Sequence, residues 1–176
     1  MKRASPTVVH VFASPLNRTR GVLVAGPLTI PCALGRAGIG TAKREGDGKT
    51  PRGRFRFGQL HYRADRGPRP RTGLPVKVTR PQDGWCDDPQ DRRYNRPVTL
   101  PYPASAEAMW RDDRLYDVVV EIPWNMKPRI SGRGSAIFLH LAREDFSPTA
   151  GCVAVRHRDM RKLLARLGPH TMLRIS

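Results

Sequence analysis

One segment of this chain, and only one, repeats with a clear helical period. From His157 to Leu167, the residues Met160, Leu163, Leu164 and Leu167 fall at i, i+3, i+4 and i+7, which lines one helix face with apolar side chains. Asp159 suits the electropositive start of such a helix, and Gly168-Pro169 stops it. Elsewhere the apolar runs are short and breakers interrupt them. Gly and Pro supply 16 and 17 of the 176 residues. A chain punctuated this often makes strands and turns, not a helix bundle. The expected fold is mainly β, a β-sandwich or mixed sheets with one C-terminal amphipathic helix over about residues 157–167.

Thr7–Phe12 and Gly21–Val24 read as strands around the turn Ser14-Pro15-Leu16-Asn17. Leu28–Leu34 reads as an edge or a bend, because Pro31 brings no N–H to a ladder. Gly35–Pro51 is a Gly-rich charged loop, Arg54–Leu60 alternates like a half-buried strand, and residues 63–73 form an Arg/Pro/Gly connector. Turn formers dominate residues 81–103, and Ala104–Trp110 is expected as a short helix. Tyr116–Ile122, Ser135–Leu141, Val153–Val155 and Met172–Ile175 are the remaining strands. In the second of these, alternation sets Ala136, Phe138 and His140 on one face and Ile137, Leu139 and Leu141 on the other. With no repeat and no composition break, residues 7–176 are expected as a single domain behind a short basic tail, residues 1–6.

The net charge is +17, and residues 1–80 carry most of it, with 17 Lys and Arg against 3 acids. Such a surface suits a polyanion or reflects an Arg-rich solvated exterior. No aromatic residues interleave the arginines for stacking and no recognition-helix or zinc-finger spacing occurs, so a nucleic-acid-binding module is the rival expectation and the disfavoured one. No apolar run approaches the roughly 18 residues that cross a bilayer. The expected location is therefore cytoplasmic, or periplasmic if the start is misassigned or truncated. Nothing in the sequence indicates an oligomer, and a monomer is expected.

The three cysteines, Cys32, Cys86 and Cys152, are odd in number and make no CxxC pair, so neither a disulfide framework nor a zinc knuckle is indicated. No metal or cofactor motif is present, and none is expected. Cys152 differs from the other two in its setting. It follows Gly151 at a turn, precedes an apolar β-branched run, and stands twelve residues after His140 at the end of another strand. A thiol at a Gly turn with an imidazole delivered by a separate strand suggests an activated nucleophile. A small buried hydrophobe and a core histidine would give the same two residues, so on their own these leave both readings open.

Four ordered segments narrow the choice. His140, Thr149-Ala150-Gly151-Cys152 with the strand after it, Lys49-Thr50-Pro51-Arg52-Gly53-Arg54-Phe55, and Trp85-Cys86-Asp87-Asp88 with Tyr94-Asn95 resemble the L,D-transpeptidase catalytic domain family (YkuD-like), as does the approach Gly132-Arg133-Gly134-Ser135 to the His140 strand. The resemblance implies a cysteine-dependent peptidoglycan L,D-transpeptidase acting on stem peptides or muropeptides. Cys152 would form a thioester and release terminal D-Ala. An amine would then complete a 3→3 cross-link, or water would complete an L,D-carboxypeptidase reaction. His140 would be the base, oriented by a backbone carbonyl the sequence does not locate. The N–H groups of Gly151 and Cys152 are candidates for the oxyanion hole. Arg133, Trp85, Asp88, Tyr94, Asn95, Thr149 and Arg156 are the candidate substrate-binding residues. The chain departs from the family pattern at Ala150, where a His is frequent, and at Ala154, where many members carry Arg.

Overall fold

The structure, a computed structural model, describes residues 6–176, so the expected tail lies outside the described residues apart from Pro6. In chain order the strands are β1 (Val8–Ala13), β2 (Arg20–Ala25), β3 (Leu28–Ala33), β4 (Ile39–Gly40), β5 (Thr50–Pro51), β6 (Gly53–Arg56), β7 (Leu60–Tyr62), β8 (Val76–Val78), β9 (Asp83–Cys86), β10 (Arg96–Thr99), β11 (Ala106–Ala108), β12 (Val118–Glu121), β13 (Phe138–Leu141) and β14 (Val153–Val155). The helix α1 (His157–Leu164) and the strand β15 (Met172–Ile175) follow.

Ten strands form one mixed sheet in the order β6-β15-β1-β2-β3-β14-β13-β12-β7-β8. Alternation sets its inner face. Val9 and Val11 of β1, Leu23 of β2, Ile30 of β3, Val120 of β12, Leu139 of β13 and Val153 and Val155 of β14 share one buried cluster with Met160, Leu163 and Leu164 of α1. Both halves of the sheet thus close on one core, with the helix's apolar face packed into it. On the opposite face, Phe138, Val119 and Cys152 meet Trp85 and Met109 in a second cluster. Trp85 comes from the small sheet β10-β9-β11, and Met109 directly follows β11. The face split expected for residues 136–141 is therefore the observed one.

Several expectations need correction: the loop Gly35–Pro51 holds the short strands β4 and β5, and Arg54–Leu60 is broken between β6 and β7. Ala104–Trp110 is not a helix: Ala106–Ala108 is strand β11, paired with β9. The turn-rich region 81–103 holds two strands, β9 and β10, that its polar composition hides. The helix ends at Leu164, not Leu167, although Leu167 stays buried. There the chain tightens, Arg166 N–H donating to Leu163 O and Leu167 N–H to Leu164 O. β3 is interior, yet β14 meets it only through Ala33 and Ala154. Beyond that junction β3 has a local edge, and Pro31 sits there.

β13 and β14 run parallel, in the register Leu139↔Val153, His140↔Ala154, Leu141↔Val155. The connection over residues 142–152 carries the chain back to the starting end of β13. Cys152 is thereby set beside Phe138, on the face that also carries His140.

Candidate active site

A cavity of about 490 Å³ opens over this face, and Cys152, His140, Gly151 and Thr149 all line it. Cys152 is only 6% exposed, and its sulfur sits in a backbone cradle. Phe138 N–H donates to Sγ at 3.3 Å, and the thiol donates to Ala136 O at 3.3 Å. Ala136 holds φ +51, a strained conformation for a residue with a Cβ. This turn delays the strand start to Phe138 and aims the carbonyl at the sulfur.

Gly151 adopts φ +144, and a Cβ there would stand 2.8 Å from Lys49 O. Only glycine lets the turn before Cys152 approach the loop after Gly48 this closely. The Gly151 N–H already donates to Thr149 Oγ1 at 3.1 Å, and Thr149 Oγ1 donates in turn to Cys152 O at 2.7 Å. Of the two N–H groups expected for an oxyanion hole, the one left without an acceptor among the described residues is that of Cys152.

His140 Nδ1–H donates to Leu141 O at 2.9 Å. This bond supplies the orienting carbonyl and leaves Nε2 as the unprotonated, basic nitrogen. The Tyr116 ring packs edge-on against His140, centroids 5.2 Å apart, and against Phe138 at 5.9 Å. Burial governs the protonation of both side chains. It pulls His140 down to about 4 against the pull of the Leu141 carbonyl. It pushes the Cys152 thiol up to about 12, with Glu107 adding to the rise and the Phe138 N–H and Lys43 opposing it. At neutral pH the pair rests as thiol and neutral imidazole.

The family model for the L,D-transpeptidase catalytic domain (YkuD) matches residues 18–175. The chain belongs to this family. No curated protein and no solved structure matches the chain closely enough to be set beside it. Membership makes it an L,D-transpeptidase-type enzyme, of a family that acts on peptidoglycan peptides.

The structure places most of the candidate substrate-binding residues of this L,D-transpeptidase domain away from the Cys152 cavity, Thr149 being the exception. Trp85, Tyr94 and Asn95 are each 2% exposed and fix the backbone from behind. Asn95 Oδ1 accepts from Trp85 Nε1 at 3.0 Å and from Ala136 N–H at 3.1 Å, while its Nδ2 donates to Trp124 O and Asn125 O. Asn95 therefore holds the loop whose Ala136 carbonyl accepts the hydrogen bond from the Cys152 thiol. Tyr94 Oη bonds Glu45 and accepts from Gly134 N–H. Asp88 Oδ1 accepts from Gln90 N–H in a local turn. Arg133 is exposed, and its carbonyl accepts from Trp124 Nε1. Arg156 is exposed at the start of α1, over the Phe146 ring.

Other residues line the cavity instead, among them Lys43, Glu45, Glu107, Arg111 and Tyr116. Lys43 is 6% exposed, with Nζ bonded to Asp47 at 2.9 Å and to Arg44 O at 3.2 Å. Its side chain fills the space that glycine leaves at 134, and Nζ would lie 3.6 Å from a Cβ on Gly151. Glu107 accepts from Tyr116 Oη at 2.8 Å, and burial holds its carboxyl above the usual range. The charged loop Thr41–Lys49 carries the one sequence signal for this group: Lys43 and Asp47 at i, i+4 among glycines whose φ values near +70 fold the loop back on itself.

Proposed function

We propose that this chain is a cysteine-dependent peptidoglycan L,D-transpeptidase, with Cys152 as nucleophile and His140 as general base and acid. The observation that carries the reading is that neighbouring parallel strands present thiol and imidazole on one face to one cavity. The donor is a stem tetrapeptide. As Sγ attacks the carbonyl carbon of the third, diamino-acid residue, the thiol proton passes to His140 Nε2 and the carbonyl electrons move to oxygen. The Cys152 N–H and the nearby Lys43 ammonium are the donors suited to that oxyanion, and a preorganised donor of this kind is worth about 2.7–4 kcal/mol. The carbonyl then re-forms, the C–N bond to D-Ala breaks, and His140 gives its proton to the departing amine. A thioester remains on Cys152. An amine of a second stem attacks it, His140 takes the amine proton, the C–S bond breaks, and the sulfur recovers the proton. The product is a 3→3 cross-link.

Because the resting pair is neutral, proton transfer and attack are coupled: sulfur gains nucleophilicity as it loses its proton, and no free thiolate accumulates. Mass spectrometry of a tetrapeptide incubated with the purified chain tests the reading. The wild type is expected to release D-Ala and to form a cross-linked dimer, and Cys152→Ala to do neither while keeping its circular dichroism. Full activity in Cys152→Ala overturns the assignment. Release of D-Ala without dimer, at any amine concentration, assigns the second step to water.

A further inference from the structure

We infer that the chain carries a second, basic cavity that binds the carboxylate-bearing peptide serving as acyl acceptor. This rests on the acyl transfer proposed for Cys152 and deepens it. A cavity of about 850 Å³ adjoins the one holding Cys152. Leu115, Leu141, Ala142 and Arg143 belong to the walls of both. The end of β13 therefore separates them, and His140, one residue before Leu141, stands at the partition.

The charges in the second cavity do not cancel. Asp117 is held by Arg66 at 2.7 Å, and Asp113 is taken by Arg111 in a two-pronged contact at 3.0 and 2.5 Å. Arg143 reaches Asp113 only at 4.0 Å, with its side chain 57% exposed. Arg114 and Arg156 also line the wall and pair with no carboxylate among the described residues. Arg156 is steadied instead by the Phe146 ring, 4.9 Å from its guanidinium carbon. Glu144 is the one acid of this wall left to oppose three guanidinium groups. An unpaired guanidinium in a concave wall presents a planar fork that matches a carboxylate.

Acyl transfer to an amine needs two peptides at once. The donor occupies the cavity at Cys152, so the acceptor must bring its amine to the thioester from beside His140. An acceptor stem carries free carboxylates around that amine, and the adjoining wall supplies their partners.

Steady-state kinetics on the full chain, with a tetrapeptide donor and a stem-tripeptide acceptor, test this. The variant is Arg114→Gln/Arg156→Gln, two exposed positions outside the Cys152 cavity. Loss of charge-assisted bonds predicts an acceptor KM raised about 10-fold and a donor KM within about twofold of the wild type. A carboxamide-capped acceptor should be poor with the wild type and no worse with the variant. Equal acceptor KM in both proteins, or parallel rises in donor and acceptor KM, overturns the inference. So does displacement of the acceptor by a short DNA duplex that binds more tightly than the peptide, which would assign the cavity to a nucleic acid. D-Ala release with no dimer overturns the acceptor site and leaves the thioester standing, whereas no D-Ala release overturns the enzymatic reading itself.

Discussion

The sulfur of Cys152 is held by two backbone groups of the neighbouring strand, a donor at Phe138 and an acceptor at Ala136. Burial does most to keep the thiol protonated, and a hydrogen bond to a carbonyl suits that same form. Alkylation by iodoacetamide should accordingly be slow at pH 7 and accelerate only toward the alkaline range, with Cys152 titrating near 12. Thiolate absorbance appearing at neutral pH would refute the neutral pair. Asn95 is the residue that fixes the acceptor. It holds φ +54 and binds Trp85, Ala136, Trp124 and Asn125 together. Asn95→Ala leaves a buried indole N–H and a buried amide N–H unpaired, which predicts a loss of about 2–4 kcal/mol in urea unfolding. Activity should fall further than stability explains, since the Ala136 carbonyl loses its support. The sequence reading placed Asn95 in the substrate cleft. Its polarity was visible, but a polar residue surrounded by turn formers does not reveal that three of its four partners lie about thirty to forty residues away.

At the scale of elements, long-range pairing decided where sequence pattern and structure parted. β11 is a strand because its backbone completes the ladder of β9, and that tertiary pairing overrides the helical preference of its alanines. β13, β14, β15 and α1 were legible because their apolar periods are unbroken and each buries a full face. The proposed pair was picked out for a related reason: His140 closes one apolar run and Cys152 directly precedes another. Lys43 was not, since a lysine in a Gly-rich loop looks solvated until the loop folds over the turn before Cys152. The helix packing gives a direct check. Leu163 is fully buried, and Leu163→Ala should cost about 2–5 kcal/mol, seen as a Tm lowered by several degrees.

For the molecule as a whole, buried titrating groups set a pH window for stability. His140 binds its proton more weakly folded than unfolded, so stability falls as pH drops from the ordinary imidazole range toward 4. Cys32 and Cys152 keep their protons up to about 12, above the ordinary thiol range, so stability also falls as pH rises through the interval between. Calorimetry should place the highest Tm on the plateau between these limits, and a Tm still rising below pH 5 would contradict the buried neutral imidazole. The charge of +17 adds self-repulsion that salt screens, which predicts a Tm higher at 0.2 M salt than at 0.02 M. Among the described residues no helix is long and apolar enough to cross a membrane.

β15, the final strand in sequence, lies between β1 and β6, two of the earliest. Until residues 172–175 leave the ribosome, β1 lacks its parallel neighbour and β6 has no strand to join. The strands made before it therefore wait with an unfilled slot in their sheet, and residues 172–175 are the ones that fill it.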